Sequence, residues 1–203
     1  MTPNKKNLQP LVITNHEDIK YAIPQSAVFL DRDGVIIEEQ PNYLRSEDAI
    51  NYIPGSIQAI KDINDHNIPI IVVTNQSAVG RKIISLDQAT LLNKIIMKDI
   101  ENRGAKITAI YMCYHHPEDN CPCRKPSPMM PFLAKKQMNL DLEESYFIGD
   151  TLKDMETATA AQLKSILVLT GHGQGEYKTL DATKRSEYTI ATDLLDATHK
   201  IFA

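Results

Sequence analysis

The sequence predicts an α/β protein with a mostly parallel sheet flanked by helices. Three observations carry that expectation. Short apolar bursts alternate with longer amphipathic stretches along most of the chain. The bursts are rich in Ile, Val and Leu and only a few residues long, as strands buried on both faces are. Several of them stop at an acid or a hydroxyl, and ligands of open parallel sheets bind beyond the carboxyl ends of strands.

Taken in order, Ala27-Val28-Phe29-Leu30 reads as a buried strand ending at Asp31. Ile57, Ile60 and Ile63 recur at helical spacing after Pro54-Gly55-Ser56. Ile68 to Val73 is a second strand, ending at Thr74. Ser85-Leu86-Asp87-Gln88 has the form of a capping box and opens a helix carrying Leu92, Ile95, Ile96 and Ile100 on its apolar face. A third strand is expected at Ile107 to Met112, a helix around Phe132 to Gln137, and a fourth strand at Tyr146-Phe147-Ile148, stopping at Gly149-Asp150. A helix from Leu152 to Ala161 and a fifth strand from Ser165 to Leu169 follow. Residues 1–24 read as a polar extension with one apolar patch, Leu11-Val12-Ile13, and residues 25–203 as one domain.

Composition narrows the function classes. A chain of 203 residues buries roughly 70% of its unfolded surface, enough for one core without staples. Its 22 Lys and Arg against 26 Asp and Glu give a net charge of -4, with no strongly basic stretch, so nucleic acid is not an expected partner. No apolar run reaches the ~18–20 residues that span a bilayer, and Met1 to Gln9 lacks the pattern of a signal peptide. All three cysteines lie between Cys113 and Cys123, which argues for a local cysteine site in a reducing compartment, with the cytoplasm the expected location. A monomer is expected.

Strand-end residues bring the chemistry. Asp31-Arg32-Asp33-Gly34 places two carboxylates just after a buried strand, where a hard cation would relieve their repulsion. One carboxylate can attack phosphorus, and the other can protonate the leaving oxygen. Thr74-Asn75-Gln76-Ser77 offers hydroxyls and amides for phosphate oxygens, although a polar capped loop has the same composition. Arg124-Lys125-Pro126 supplies a bidentate and a point cation. Gly149-Asp150-Thr151-Leu152-Lys153-Asp154 opens a helix with acids four residues apart, Asp150 suited to a metal and Asp154 to holding neighbours in place. Cys113, His115, Cys121 and Cys123, three thiols and an imidazole within eleven residues, match a closed tetrahedral Zn2+ site, with His116 an alternative ligand.

These segments, from Ala27 to Gly173, resemble the four motifs of the haloacid dehalogenase (HAD) superfamily. The resemblance implies a Rossmann-like fold and Mg2+-dependent phosphoryl transfer. Asp31 would be the nucleophile, Asp33 the general acid and base, and Thr74 and Lys125 the groups steadying the phosphoryl group. Asp31, Asp33 (through its backbone carbonyl) and Asp150 would hold the metal. Asp33 must carry a proton at neutral pH, and burial beside an anionic substrate is expected to provide for that. Short segments between motifs imply no large cap domain.

The Cys-Tyr-His…Cys-Pro-Cys-Arg-Lys-Pro loop (113–126) is similar to that of zinc-loop members, the heptose-bisphosphate and histidinol-phosphate phosphatases. The tracts Gln40-Pro41-Asn42-Tyr43-Leu44 and Leu167 to Gly173 favour the heptose enzymes, and with them a small phosphorylated sugar in nucleotide-heptose and lipopolysaccharide precursor synthesis. In that reading Arg124 binds the phosphate that stays, and Tyr43, Asn75, Gln76, Ser77 and Arg81 lie near the substrate. Tyr114 and Met129 depart from the pattern, which usually has Pro and Gly there. The rival from another class, a silent zinc-stabilised scaffold, predicts loss of an acid at 31, 33 or 150, and all three are present. Gly171-His172-Gly173-Gln174-Gly175 lacks the spacing of a dinucleotide fingerprint and reads as a mobile loop.

Overall fold

The computed structural model describes residues 8–14 and 20–203. Strands β1 (Leu11–Thr14), β2 (Val28–Leu30), β3 (Ile70–Asn75), β4 (Ala109–Cys113), β5 (Tyr146–Gly149), β6 (Lys164–Val168) and β7 (Thr189–Ala191) form one sheet in the order β1-β4-β3-β2-β5-β6-β7. All neighbours are parallel except β1, which runs antiparallel to β4 with Leu11 opposite Met112. The five strands read from sequence are all present, their ends shifted by a residue or two. Leu11–Thr14 falls within the stretch read as a polar extension and supplies an edge strand instead of staying outside the sheet. Ile13 accounts for this, since its side chain is buried in the core.

Side chains alternate across the strands because the pleat has period two. Val28, Leu30, Ile70, Val72, Ile110 and Ile148 face helices α1 (Ser56–Asp65), α3 (Leu86–Asn102) and α8 (Leu194–Phe202). Phe29, Ile71, Val73, Tyr111 and Phe147 face α4 (Met129–Met138) and α5 (Leu152–Ala161). Covering both faces explains why the strands read as continuous apolar runs.

Helix signals hold in part. Ser85 accepts a hydrogen bond from the Gln88 amide at 3.0 Å, but the Gln88 side chain donates to the Arg45 carbonyl at 2.6 Å, so only half of the capping box forms. On α3 the polar Asn93 shares the buried face with Leu92, Ile96 and Ile100, while Ile95 is half-buried. The four-residue α2 (Ser77–Gly80), α6 (Gly173–Thr179) and α7 (Ala182–Glu187) complete the chain, and α6 begins inside the segment read as a mobile loop. Among the described residues no helix is long and apolar enough to cross a membrane.

The chain passes from β2 through β3 to β4, then returns to the other side of β2 as β5. Parallel sheets open a crevice at such a reversal, beyond the strands' carboxyl ends. Asp31 follows β2 and Asp150 follows β5, so the reversal places both acids at its mouth.

Candidate active site and cysteine cluster

A pocket of about 260 Å³ lies at that edge, and its walls include Asp31, Asp33, Thr74, Lys125 and Asp150. The Asp31 amide donates to the Ile148 carbonyl at 3.0 Å, tying the end of β2 to β5. Lys125 is buried, with Nζ 2.9 Å from Asp31 Oδ1 and 2.6 Å from Asp154 Oδ1. Asp154 works twice, because its Oδ2 also accepts from the Thr151 amide (3.0 Å) and hydroxyl (2.6 Å) in the capping box that opens α5. Thr74 is buried at the end of β3, and its hydroxyl accepts from Gln76 Nε2 at 2.8 Å.

Burial dominates the electrostatics. It pushes the Asp31 carboxyl well above the usual carboxylate range, Lys125 opposes the rise, and Asp154, Asp150 and Asp33 add to it. Burial likewise lifts Asp150 to about 7, against the His172 backbone amide, which donates to Oδ2 at 2.8 Å. For Lys125, burial alone would lower the pKa, but Asp154 and Asp31 outweigh it and hold the ammonium charged. The four carboxylates Asp31, Asp33, Asp150 and Asp154 face two buried cations, Arg32 and Lys125. The formal surplus of two negative charges suits a divalent cation. Ligand-capable oxygens of Asp31, Asp150 and Asp154 lie within 4.8 Å of one another. With Asp154 committed to Lys125 and Thr151, Asp31 and Asp150 are the carboxylates best able to hold such an ion. The Asp33 carboxylate stands outside this group and accepts from Arg32 and Gln76 instead. Its side chain is 25% exposed, so the burial expected for it is only partial in the free protein.

Glycine shapes the metal side. Gly34 and Gly171 both have positive φ, and a Cβ at either would overlap the Asp150 carboxylate. The loops after β2 and β6 are further tied where the Thr170 hydroxyl donates to the Gly34 carbonyl at 2.6 Å.

The cysteine cluster closes on itself. Cys113 Sγ is 3.5 Å from Cys121 Sγ and 3.6 Å from His115 Nδ1, and Cys123 Sγ is 3.3 Å from His115 Nδ1. All four residues are buried, and their ligand atoms lie within 4.8 Å of one another, a set that could hold a metal ion. Hydrogen bonding from Cys123, ahead of His115, pushes the Cys113 thiol down to about 5, the thiolate that a metal would take. His116 turns away, its Nδ1 accepting from the Glu118 amide at 3.2 Å. Tyr114, one of the two departures from the family pattern, lays its ring against His115 with centroids 4.3 Å apart.

The remaining expected residues divide. Tyr43, Ser77, Gln76, Asn75 and Arg124 line the pocket, whereas Arg81 is exposed and does not. Asn75 spends its side chain on the protein, since Oδ1 accepts from the Lys125 amide (3.1 Å) and Nδ2 donates to the Lys125 carbonyl (3.3 Å). Arg124 donates from Nη2 to the His115 carbonyl at 2.5 Å, coupling the cysteine cluster to the pocket wall. Sequence reasoning missed Glu39, Lys153 and His172, which also line the pocket, with His172 Nε2 2.5 Å from Glu39 Oε2 across the mouth. The position of His172 beyond a fifth parallel strand was the available signal.

An α/β sheet with acids at its topological reversal and a buried lysine beside them has the chemistry that phosphoryl transfer requires. The chain belongs to the HAD-like phosphatases, a family of phosphoric monoester hydrolases. The HAD-hydrolase-like family model matches residues 122–197. Among curated relatives, the D-glycero-beta-D-manno-heptose-1,7-bisphosphate 7-phosphatase of Yersinia pestis is 34% identical over 153 residues, covering 71% of this chain and 81% of that protein. The enzyme of the same name from Escherichia coli K12 is 35% identical over 153 residues, covering 71% and 80%. Among solved structures, a D,D-heptose 1,7-bisphosphate phosphatase from B. bronchiseptica, complexed with magnesium and phosphate, superposes with a TM-score of 0.81. It is 28% identical, and the match covers 88% of this chain and 98% of that one.

Proposed function

We propose that the protein is a Mg2+-dependent phosphomonoesterase that acts through an aspartyl-phosphate and removes the 7-phosphate of D-glycero-D-manno-heptose 1,7-bisphosphate. The observation that carries this reading is the convergence of Asp31, Asp33, Asp150, Thr74 and Lys125 on one pocket from distant sequence positions. The names of the relatives support the substrate.

Asp31 Oδ attacks phosphorus as the bond to the sugar oxygen breaks, and Asp33 gives that oxygen a proton. A water then attacks the aspartyl-phosphate, giving its proton to the Asp33 carboxylate, and phosphate leaves Asp31 free. Lys125 and the Thr74 hydroxyl steady the phosphoryl oxygens throughout. Asp31, the Asp33 backbone carbonyl and Asp150 would hold Mg2+, which supplies positive charge to the phosphoryl oxygens when bound. Cys113, His115, Cys121 and Cys123 would hold a structural Zn2+ that fixes Arg124 and Lys125. Arg124 takes the phosphate that is kept, and Tyr43, Gln76 and Ser77 line the sugar's side. Asn75 acts indirectly, by holding the Lys125 backbone.

A phosphate-release screen with Mg2+ over heptose 1,7-bisphosphate, histidinol phosphate and simple monophosphates tests the proposal. The heptose bisphosphate is expected to give the highest kcat/KM, and a preference for histidinol phosphate would overturn the substrate assignment.

Proton competition gives a second expectation. The folded Asp31 and Asp150 values lie above the ~3.9 of an unfolded chain, so without metal their ionisation works against folding as pH rises from about 4 through 7. Mg2+ needs the ionised acids and offsets that loss where they are ionised. Millimolar Mg2+ should therefore raise Tm more at pH 8 than at pH 5, and equal shifts at both would contradict the metal site.

A further inference from the structure

Resting on the phosphatase reading, Asp33 must present a carboxyl group to the leaving oxygen and then to water, and its aim depends on what holds it. Arg32, the residue between the two acids, is 2% exposed, and its guanidinium turns inward. Nη2 donates to both Asp33 oxygens at 2.9 Å each, and Nη1 donates to Asn93 Oδ1 at 3.0 Å. Asn93 is fully buried on α3 and is itself fixed, its Nδ2 donating to the Ala89 carbonyl at 2.9 Å. Asp33 Oδ2 also accepts from Gln76 Nε2 at 2.8 Å.

A buried guanidinium is costly unless charge and hydrogen bonds compensate it. Here the compensation comes from Asp33 on one side and a helix-borne amide on the other. Both Nη groups are spent on protein atoms, which distinguishes Arg32 from a residue that grips substrate. We infer that Arg32, braced by Asn93, is a positioning residue that aims the Asp33 carboxyl at the leaving oxygen. The 17-residue α3 thereby acts as the rigid anchor of a strut that runs from Asn93 through Arg32 to Asp33.

Leaving-group chemistry separates this role from a merely structural one. An alkyl leaving oxygen needs a proton as the P–O bond breaks, whereas p-nitrophenolate departs without one. Asn93→Leu, which removes the brace, and Arg32→Lys, which keeps the charge but not the fork, are assayed as Mg2+-loaded full-length protein. The substrates are a sugar 6-phosphate and p-nitrophenyl phosphate. In both variants kcat/KM, which reports phosphoryl transfer to Asp31 and not the hydrolysis step that both esters share, should fall about tenfold to a hundredfold for the sugar ester and by less than about threefold for p-nitrophenyl phosphate. Asn93→Asp, which keeps the acceptor for Arg32 but loses the donor to Ala89, should give a ratio between the two esters that lies between those of Asn93→Leu and wild type. Thermal melts identify any variant that does not fold, and the remaining variants then decide. Equal loss on both esters in the folded variants, or a wild-type ratio in both Asn93→Leu and Arg32→Lys, overturns the positioning role. A wild-type protein inert toward every phosphomonoester would instead sink the phosphatase reading itself.

Discussion

Asp31→Asn is expected to lower phosphate release at least about 10⁴-fold while leaving the metal-free protein as stable as the wild type or more so. The two halves of this result have one origin. In the proposed mechanism the Asp31 carboxylate is the attacking group, and an amide of the same shape offers phosphorus no competent nucleophile. Yet the charged form sits uneasily in the free protein, because burial raises its pKa and Asp154, Asp150 and Asp33 crowd it. The amide removes that repulsion, and Lys125 keeps Asp154 at 2.6 Å as its partner. Steady-state phosphate release and thermal denaturation in metal-free buffer read the two halves separately. A kcat within tenfold of wild type would show that the phosphoryl group never passes to Asp31.

Stripping the proposed Zn2+ from the cysteine cluster, or Cys123→Ser, is expected to lower Tm by at least about 10 °C and to reduce kcat with it. Structural Zn2+ contributes about 10–16 kcal/mol in small zinc peptides. A third of that, at ~2–4 °C per kcal/mol for a chain of this size, already gives such a shift. Activity falls because the cluster and the pocket share a segment. The His115 carbonyl holds Arg124, and Asn75 clamps both backbone groups of Lys125. Metal analysis of the purified protein and melts with and without chelator provide the check. Less than about half an equivalent of Zn2+, with no loss of Tm on chelation, would remove the site.

The sheet and the four motifs were legible because their signals are local. A run such as Ile-Ile-Val-Val ending at Thr74 declares a buried strand and its functional end within a few residues. What escaped depends on partners far apart in sequence. Asn75 looked like a substrate ligand, and only folding brings Lys125, fifty residues on, against its amide. Arg32 gave no sign of its role, because Asn93 lies sixty-one residues away on a helix face expected to be apolar. Short elements were lost for another reason. A three-residue strand such as Thr189–Ala191 has no periodicity to read, and Leu11–Thr14 is an edge strand whose polar flanks masked it.

The contact of Gly34 and Gly171 with Asp150 has a consequence for engineering. Neither position can accept even a methyl group without displacing the carboxylate, so the support behind Asp150 is closed to substitution. Selectivity is better retuned at Tyr43, Lys153 and His172, which line the pocket and reach solvent. A library confined to those three codons would sample new ester preferences while leaving the chemistry intact.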